Sequence, residues 1–142
     1  MSRNEELLNY IYQNSQMGTN TIEQLLGIVK DQEFKKQLDT QLKEYRDIND
    51  SAKNLLEKKG CNEKGVGALN EMTTYMMINI KTLTDKSTSH VAEMMIQGST
   101  MGIIQATKNM KKFKGEDKEA VALMEKLLKT EENNFQQLKK YL

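Results

Sequence analysis

The sequence predicts an all-α protein, and three observations support that prediction. The 142 residues include no proline, although average usage of about 5% would give roughly seven. Leu, Met, Lys, Glu, Gln and Asn dominate the chain, and most of these residues favour helix. Apolar residues recur at alternating spacings of three and four, which marks one face of a helix. The length fits a single core, so we expect residues 1–142 to form one domain.

The first predicted helix spans residues 5–29 and the second spans residues 32–59. Asp31 is suited to cap the second helix at its start, and Gly60 is suited to end it in a left-handed conformation. Their buried faces are predicted to comprise Leu8, Ile11, Ser15, Gly18, Ile22, Leu25 and Val29 in the first helix, and Phe34, Leu38, Gln41, Tyr45, Ile48, Ala52 and Leu55 in the second. Because the link is short, the two helices are expected to be antiparallel neighbours.

Three further helices are predicted at residues 66–84, 88–113 and 117–141. The loop "CNEKGVG" precedes the first of them, and Ser87 or Thr88 can cap the second. The last has a seam formed by Val121, Met124, Leu128, Glu131, Phe135, Leu138 and Leu142. The segment from Met72 to Ile80 is apolar on more than one face, which predicts contact with a second chain and hence a homodimer.

Together these elements predict an up-down helical bundle in which two long antiparallel hairpins are joined by a shorter crossover helix. This plan, with carboxylates at mid-helix and the stretch "KSTSHVAEMMIQGSTMG", resembles the ferritin-like superfamily, which includes rubrerythrin-like and spore-coat-F-like proteins. Family members with a di-iron site carry one Glu on each of two helices and Glu-x-x-His on the other two. This chain has "EYRD" at residues 44–47 and "EENN" at residues 131–134 in those places, so no Glu-x-x-His is present.

Glu131 is the most informative polar residue, because it takes a seam position where an aliphatic residue is expected. A buried carboxylate must be paired, protonated or metal-bound. We expect a buried polar network with Tyr45, Arg46 and Gln97 as its neighbours. The alternatives are general acid or base chemistry and an iron or manganese site, for which the candidate ligands are Glu44, Asp47, Glu93 and Glu131.

Small residues are predicted to meet at the middle of the bundle. Gly98 and Gly102 share one face of the fourth helix, while Ser15 and Gly18 occupy the seam of the first. Such residues let neighbouring elements approach closely, which predicts a core packing contact with the fourth helix as the most buried one. The alternative is a cavity for a small apolar ligand.

Charge and composition narrow the possible functions further. The formal net charge of +1 provides no field to attract nucleic acid, and no apolar run is long enough to span a membrane. Cys61 is the chain's one cysteine, which favours a cytoplasmic location. His90, the one histidine, falls far from the bundle middle. Most of the ten methionines are expected to fill the core, with a Cu(I) site as the alternative if several sulfurs converge.

The function expected from the sequence is that of a non-enzymatic structural or interaction protein with no cofactor. The resemblance to spore-coat-F-like proteins adds an expected connection with sporulation. The alternatives left open are a divergent metal-carboxylate protein and a binder of a small apolar ligand in the bundle core.

Overall fold

A computed structural model describes residues 3–61, 70–113 and 117–142, with side chains from residue 75 onward in the second range. It contains five α-helices: α1 (Arg3–Leu26), α2 (Gln32–Lys58), α3 (Asn70–Lys81), α4 (Thr88–Lys112) and α5 (Lys118–Leu138), followed by a 3-10 turn at Lys139–Tyr141. The described residues form no strand, and the predicted all-α class is confirmed. The predicted start of the third helix, residues 66–69, lies outside the described residues.

The helix ends follow local capping chemistry. The Asp31 carboxylate accepts a hydrogen bond from the backbone N–H of Phe34 at 2.8 Å, so the predicted cap of α2 is confirmed. Gly60 has a φ of 73°, and the N–H groups of Gly60 and Cys61 donate to the carbonyls of Glu57 and Leu56. This pair of bonds is the Schellman motif, in which a left-handed glycine satisfies the last carbonyls of a helix.

Contacts at the two ends of the bundle fix the helix directions. At one end, the backbone N–H of Asp117 donates to Asn4 Oδ1 at 3.0 Å, and Lys59 pairs with Asp117. At the other end, the Tyr141 ring lies 4.9 Å from the Phe34 ring between centroids. Thus α1 and α5 run in the same direction and α2 runs against both.

The remaining long helix, α4, runs parallel to α2. Lys112 Nζ at the end of α4 lies 3.9 Å from Glu6 Oε2 at the start of α1, which is also the end of the bundle where α2 finishes. The chain from residue 59 to residue 87, which includes α3, therefore joins opposite ends of the bundle. No helix in the described ranges is long and apolar enough to cross a membrane.

The central helix is α5, and the prediction that α4 is the most buried helix is wrong. α5 packs against α1, α2 and α4, whereas α4 packs mainly against α5 and α3. One face of α4 is exposed along its length, at Glu93, Gln97, Thr100 and Ile104. Little in the sequence indicated this exposed face, because only one of the four exposed residues is charged and one is an isoleucine.

The predicted seam of α5 is buried at Met124, Glu131 and Leu138. Its other positions are not, because Val121, Leu128 and Phe135 are only half-buried and Leu142 is exposed. The remaining buried residues of α5 are Ala120, Leu123, Leu127, Thr130 and Asn134. In α2, likewise, Leu56 is fully buried where Leu55 is half-buried. α5 therefore presents an asparagine as well as a glutamate to the bundle interior.

Candidate functional site

Six polar side chains from α1, α2 and α5 meet inside the bundle and form what we call the polar layer. Each is less than 10% exposed. They are Tyr10 and Asn14 from α1, Gln41 and Tyr45 from α2, and Glu131 and Asn134 from α5. Positions such as these are normally apolar in a helical bundle, because a buried polar group without a partner costs free energy.

Glu131 is the acidic member of the polar layer. Burial raises the pKa of its carboxyl from about 4.5 to about 7, and a hydrogen bond from the Tyr45 hydroxyl opposes part of that rise. The negative charge of Glu131 in turn helps to raise the pKa values of Tyr45 and Tyr10, on which burial has the larger effect. The raised pKa lets the Glu131 carboxyl keep its proton at a higher pH than an exposed glutamate, and both tyrosines keep their protons at neutral pH.

Two glycines make room for the layer. A Cβ atom added at Gly102 would lie 3.2 Å from the carboxyl carbon of Glu131, so this glycine is what lets the side chain fit against α4. A Cβ atom added at Gly18 would lie 2.9 Å from the ring of Tyr45. The glycines therefore face large side chains from other helices, and do not bring two backbones together.

Several polar atoms of the layer have no hydrogen-bond partner within the protein. Asn14 Nδ2 donates to the Tyr10 hydroxyl at 3.3 Å, but Asn14 Oδ1 is unpaired. Gln41 Nε2 and both amide atoms of Asn134 are unpaired as well, although Asn134 lies close to the Tyr45 hydroxyl. Buried atoms of this kind are usually satisfied by internal water or by a small bound group.

A cavity of about 40 Å³ adjoins the layer. Its lining includes Glu131, Tyr45 and Gln41 from the layer and the methionines Met17, Met76 and Met95. One enclosed water occupies roughly 10–15 Å³ on this measure, so the space suits two or three waters or one ion. A cavity known to bind benzene measures about 150 Å³, so the space here is too small for the apolar ligand of the predicted alternative.

Two of the predicted neighbours of Glu131 lie elsewhere. Arg46 is on the surface, where it pairs with Glu23 at 2.9 Å, and both side chains are about half exposed. Gln97 lies on the exposed face of α4 and accepts a hydrogen bond from the Tyr75 hydroxyl. Tyr45 alone of the three predicted partners contacts Glu131. A long charged side chain next to a buried position normally turns outward to keep its charge in water, as Arg46 does.

The predicted metal ligands do not converge. Glu44 is half-buried in an outer groove between α2 and α5, where Lys126 lies close enough to lower its pKa against the larger, raising effect of burial. Asp47 and Glu93 are exposed. Within the described ranges, no group of three or more His, Cys, Asp or Glu side chains could hold a metal ion. The residues present do not fit a two-iron or two-manganese site, which needs bridging carboxylates from several helices.

The four predicted small residues do not meet one another. Gly18 faces Tyr45, Gly102 faces Glu131, and Gly98 faces Met76, whose Sδ would lie 2.8 Å from an added Cβ. Ser15 accepts a hydrogen bond from Asn49 Nδ2 of α2 at 3.2 Å. Few residues of α1 and α4 approach each other closely, so the expected contact between those two helices is not formed.

Sequence reasoning missed Tyr10, Asn14, Gln41 and Asn134 as members of the polar layer. The burial of Asn134 beside Glu131 could have been predicted, because Asn134 follows Glu131 by three residues and so lies on the same helix face. Gln41 was placed on the α2 seam but was not linked to Glu131. Tyr10 and Asn14 lie on a second buried face of α1, which a single seam through Ile11 and Ser15 does not include.

The fold and the polar layer define a class of protein, namely an all-α helical bundle in which the Glu131 carboxyl is buried among tyrosines and carboxamides. No family model, no curated protein and no solved structure matches the chain.

Proposed function

We propose that this chain is a non-enzymatic structural or interaction protein built on a ferritin-like bundle. The observation that carries the proposal is which acidic side chains lie in the middle of the bundle. There, Glu131 contacts Tyr45 and fills the space beside Gly102, while the other candidate acids face outward. The helix directions, with one long connection between α2 and α4, support the ferritin-like part of the proposal.

The dimensions of the cavity also support a non-catalytic role. Pockets that bind organic substrates usually measure about 300–1,000 Å³, several times the 40 Å³ available beside Glu131. Tyr45 could exchange a proton with Glu131, but the space beside the pair is too small for a substrate of more than a few atoms. The carboxyl therefore serves the packing and hydrogen bonding of three helices.

Metal content and iron oxidation test this proposal. Protein purified without chelators should contain far less than one iron or manganese per chain, and added Fe(II) should oxidise no faster than with Glu131→Gln. The variant is a suitable control because it keeps the shape of the side chain and removes its charge. One or two equivalents of iron or manganese, lost in Glu131→Gln, would refute the proposal and establish the metal-carboxylate alternative.

The interaction surface proposed for this protein is the outer side of α3. Met77 and Ile78 are 50% and 55% exposed, which is unusual for two adjacent large apolar side chains. A second copy of the chain is the proposed partner, as the apolar pattern of the same segment predicts. The spore-coat connection rests on the family resemblance and is proposed on that ground alone.

Molecular mass in solution tests the self-association. Light scattering after size-exclusion chromatography should give a dimer for the wild type, and Met77→Lys with Ile78→Lys should give a monomer. Ile104→Lys is the matched control, because Ile104 is 49% exposed but lies on α4. A monomeric wild type, or a control that dissociates as readily, would contradict the assignment of α3 as the interface.

A further inference from the structure

We propose that the cavity beside the polar layer binds one Cu(I) ion, with Met17, Met76 and Met95 as thioether ligands and Glu131 as the neutralising carboxylate. This inference goes beyond the proposed structural role. It would make the bundle middle a soft-metal site in place of the hard-metal site of carboxylates and imidazoles that the family resemblance implies.

The three methionines reach the cavity from three different helices. Met17 comes from α1, Met76 from α3 and Met95 from α4, so the site exists only when the bundle is assembled. Met76 and Met95 are almost fully buried, and Met17 is half-buried. Methionine has three rotatable side-chain bonds, which allows methionines that line one small cavity to turn their sulfurs towards a common point.

Gly98 provides a specific reason for the position of one sulfur. The Sδ atom of Met76 lies 2.8 Å from the place where a Cβ atom on Gly98 would be. Any other residue at position 98 would require that sulfur to move. A glycine in the interior of a helix costs about 1 kcal/mol relative to alanine, and here it leaves the space that this sulfur occupies.

The chemistry of the lining selects the ion. Thioethers are soft, uncharged ligands that favour Cu(I), whereas manganese and iron(II) favour carboxylates and imidazoles. Glu131 supplies a single negative charge, so a monovalent ion gives a neutral site. A divalent ion would leave one uncompensated positive charge in the core, which is strongly unfavourable. Charge and ligand softness thus point to the same ion.

The size of the cavity agrees with this choice. About 40 Å³ holds an ion only after it has lost its hydration shell. A soft ion can exchange water for sulfur, whereas a strongly hydrated hard ion would lose water without gaining comparable ligands. Gln41 lines the same cavity and its Nε2 is unpaired, so this amide can donate to a water or to the Glu131 carboxylate beside the ion.

The binding test begins from Cys61→Ser, because a free thiol binds Cu(I) strongly and Cys61 is the chain's one cysteine. Cu(I) is titrated anaerobically into the full-length variant in competition with a chromophoric Cu(I) chelator. We expect one ion per chain. In the same background, Met17→Leu, Met76→Leu and Met95→Leu should each weaken binding at least tenfold, and the triple variant should abolish it.

Matched controls separate the cavity from methionine content in general. Met94 and Met124 are as buried as Met76 and Met95 but do not line the cavity, so Met94→Leu and Met124→Leu should leave the affinity unchanged. Leucine is close to methionine in volume, and circular dichroism verifies that each variant remains folded. Absence of one-to-one binding in Cys61→Ser, or equal losses in the control variants, would overturn the proposal.

A spectroscopic measurement on the Cys61→Ser complex tests the ligand set without relying on the methionine variants. X-ray absorption at the copper edge should show sulfur in the first coordination shell. Titration with Zn(II) should give binding at least a hundredfold weaker than Cu(I). A shell of oxygen and nitrogen alone, or Zn(II) binding of equal strength, would refute the thioether site.

Discussion

The buried Glu131 carboxyl predicts that the protein loses stability as the pH rises from 5 to 8.5. The pKa of this group is about 7 in the folded chain and near its ordinary 4.5 in the unfolded chain. An acid whose folded-state pKa is raised stabilises the fold fully below the ordinary pKa, and the contribution is lost as the pH rises through the folded-state value. When the carboxyl ionises inside the core, its charge lacks the hydration that it has in the unfolded chain, and no cationic side chain lowers its pKa.

The size of the effect follows from the two pKa values. Their difference corresponds to about 3 kcal/mol of unfolding free energy when the pH lies well above both. At pH 5 the unfolded carboxyl is already largely ionised, which accounts for about 1 kcal/mol of that amount. Between pH 5 and pH 8.5 we therefore expect a loss of about 2 kcal/mol from Glu131. This is a large share of the stability of an ordinary domain.

Other shifted groups affect this pH range less. Burial also raises the pKa of Glu44, which adds to the loss in the same direction, but Glu44 is only half-buried. The pKa values of Asp85 and Asp117 are lowered by hydrogen bonds, so both groups are already ionised at pH 5 and their stabilising contributions do not change between pH 5 and pH 8.5. Tyr10 and Tyr45 have raised pKa values and ionise above the range.

Urea unfolding at a series of pH values measures the effect. Glu131→Gln should remove most of the loss between pH 5 and pH 8.5, and it should be more stable than the wild type at pH 8.5. Glu132→Gln, which changes an exposed neighbour on the same helix, should keep the wild-type pH dependence. If Glu131→Gln loses stability with pH as steeply as the wild type, the reasoning about its burial is refuted.

Two glycine substitutions provide further predictions. Gly18→Ala should lower the unfolding free energy by about 1–3 kcal/mol in the same urea unfolding assay, because the added Cβ would overlap the rigid ring of Tyr45. Gly27→Ala is the control. Its Cβ would lie 3.5 Å from the nearest atom, so this substitution should be neutral or slightly stabilising. Equal effects of the two would show that Gly18 does not face Tyr45. Gly60→Ala should cost about 1–2 kcal/mol in thermal or urea unfolding, because its left-handed φ of 73° strains any residue with a Cβ. No loss there would contradict the helix end described for α2.

Much of the helical framework could be predicted from residue spacing. The seam from Leu8 to Val29 is buried at each predicted position, because alternating apolar spacings fix one face of α1. In α5 the predicted seam is buried at Met124, Glu131 and Leu138, but at Val121, Leu128 and Phe135 the more buried residue is the one before it in the chain. Two overlapping seams exist there, and the apolar one through Leu128 and Phe135 is the less buried of the two. Burial of a polar seam depends on neighbours that are distant in sequence.

The candidate site was predictable only in part. Glu131 and Tyr45 were identified from their seam positions, but sequence spacing along one helix does not specify which side chains of another helix lie opposite. The layer therefore gained Asn14 and Asn134 and did not include Arg46 or Gln97. The glycines indicated close packing, yet their partners are side chains from other helices, such as Tyr45 against Gly18. Such pairings are set by the tertiary structure.

The central claim is that Glu131 is a buried carboxyl held among tyrosines and carboxamides. A titration of carbon-13-labelled glutamate side chains, followed by nuclear magnetic resonance with Glu131→Gln to assign the signal, measures its pKa directly. The structure predicts that one glutamate carboxyl titrates near pH 7 and that its signal is absent in the variant. A Glu131 signal that titrates at its ordinary value near pH 4.5 would show that the carboxyl is in water, and would contradict the polar layer.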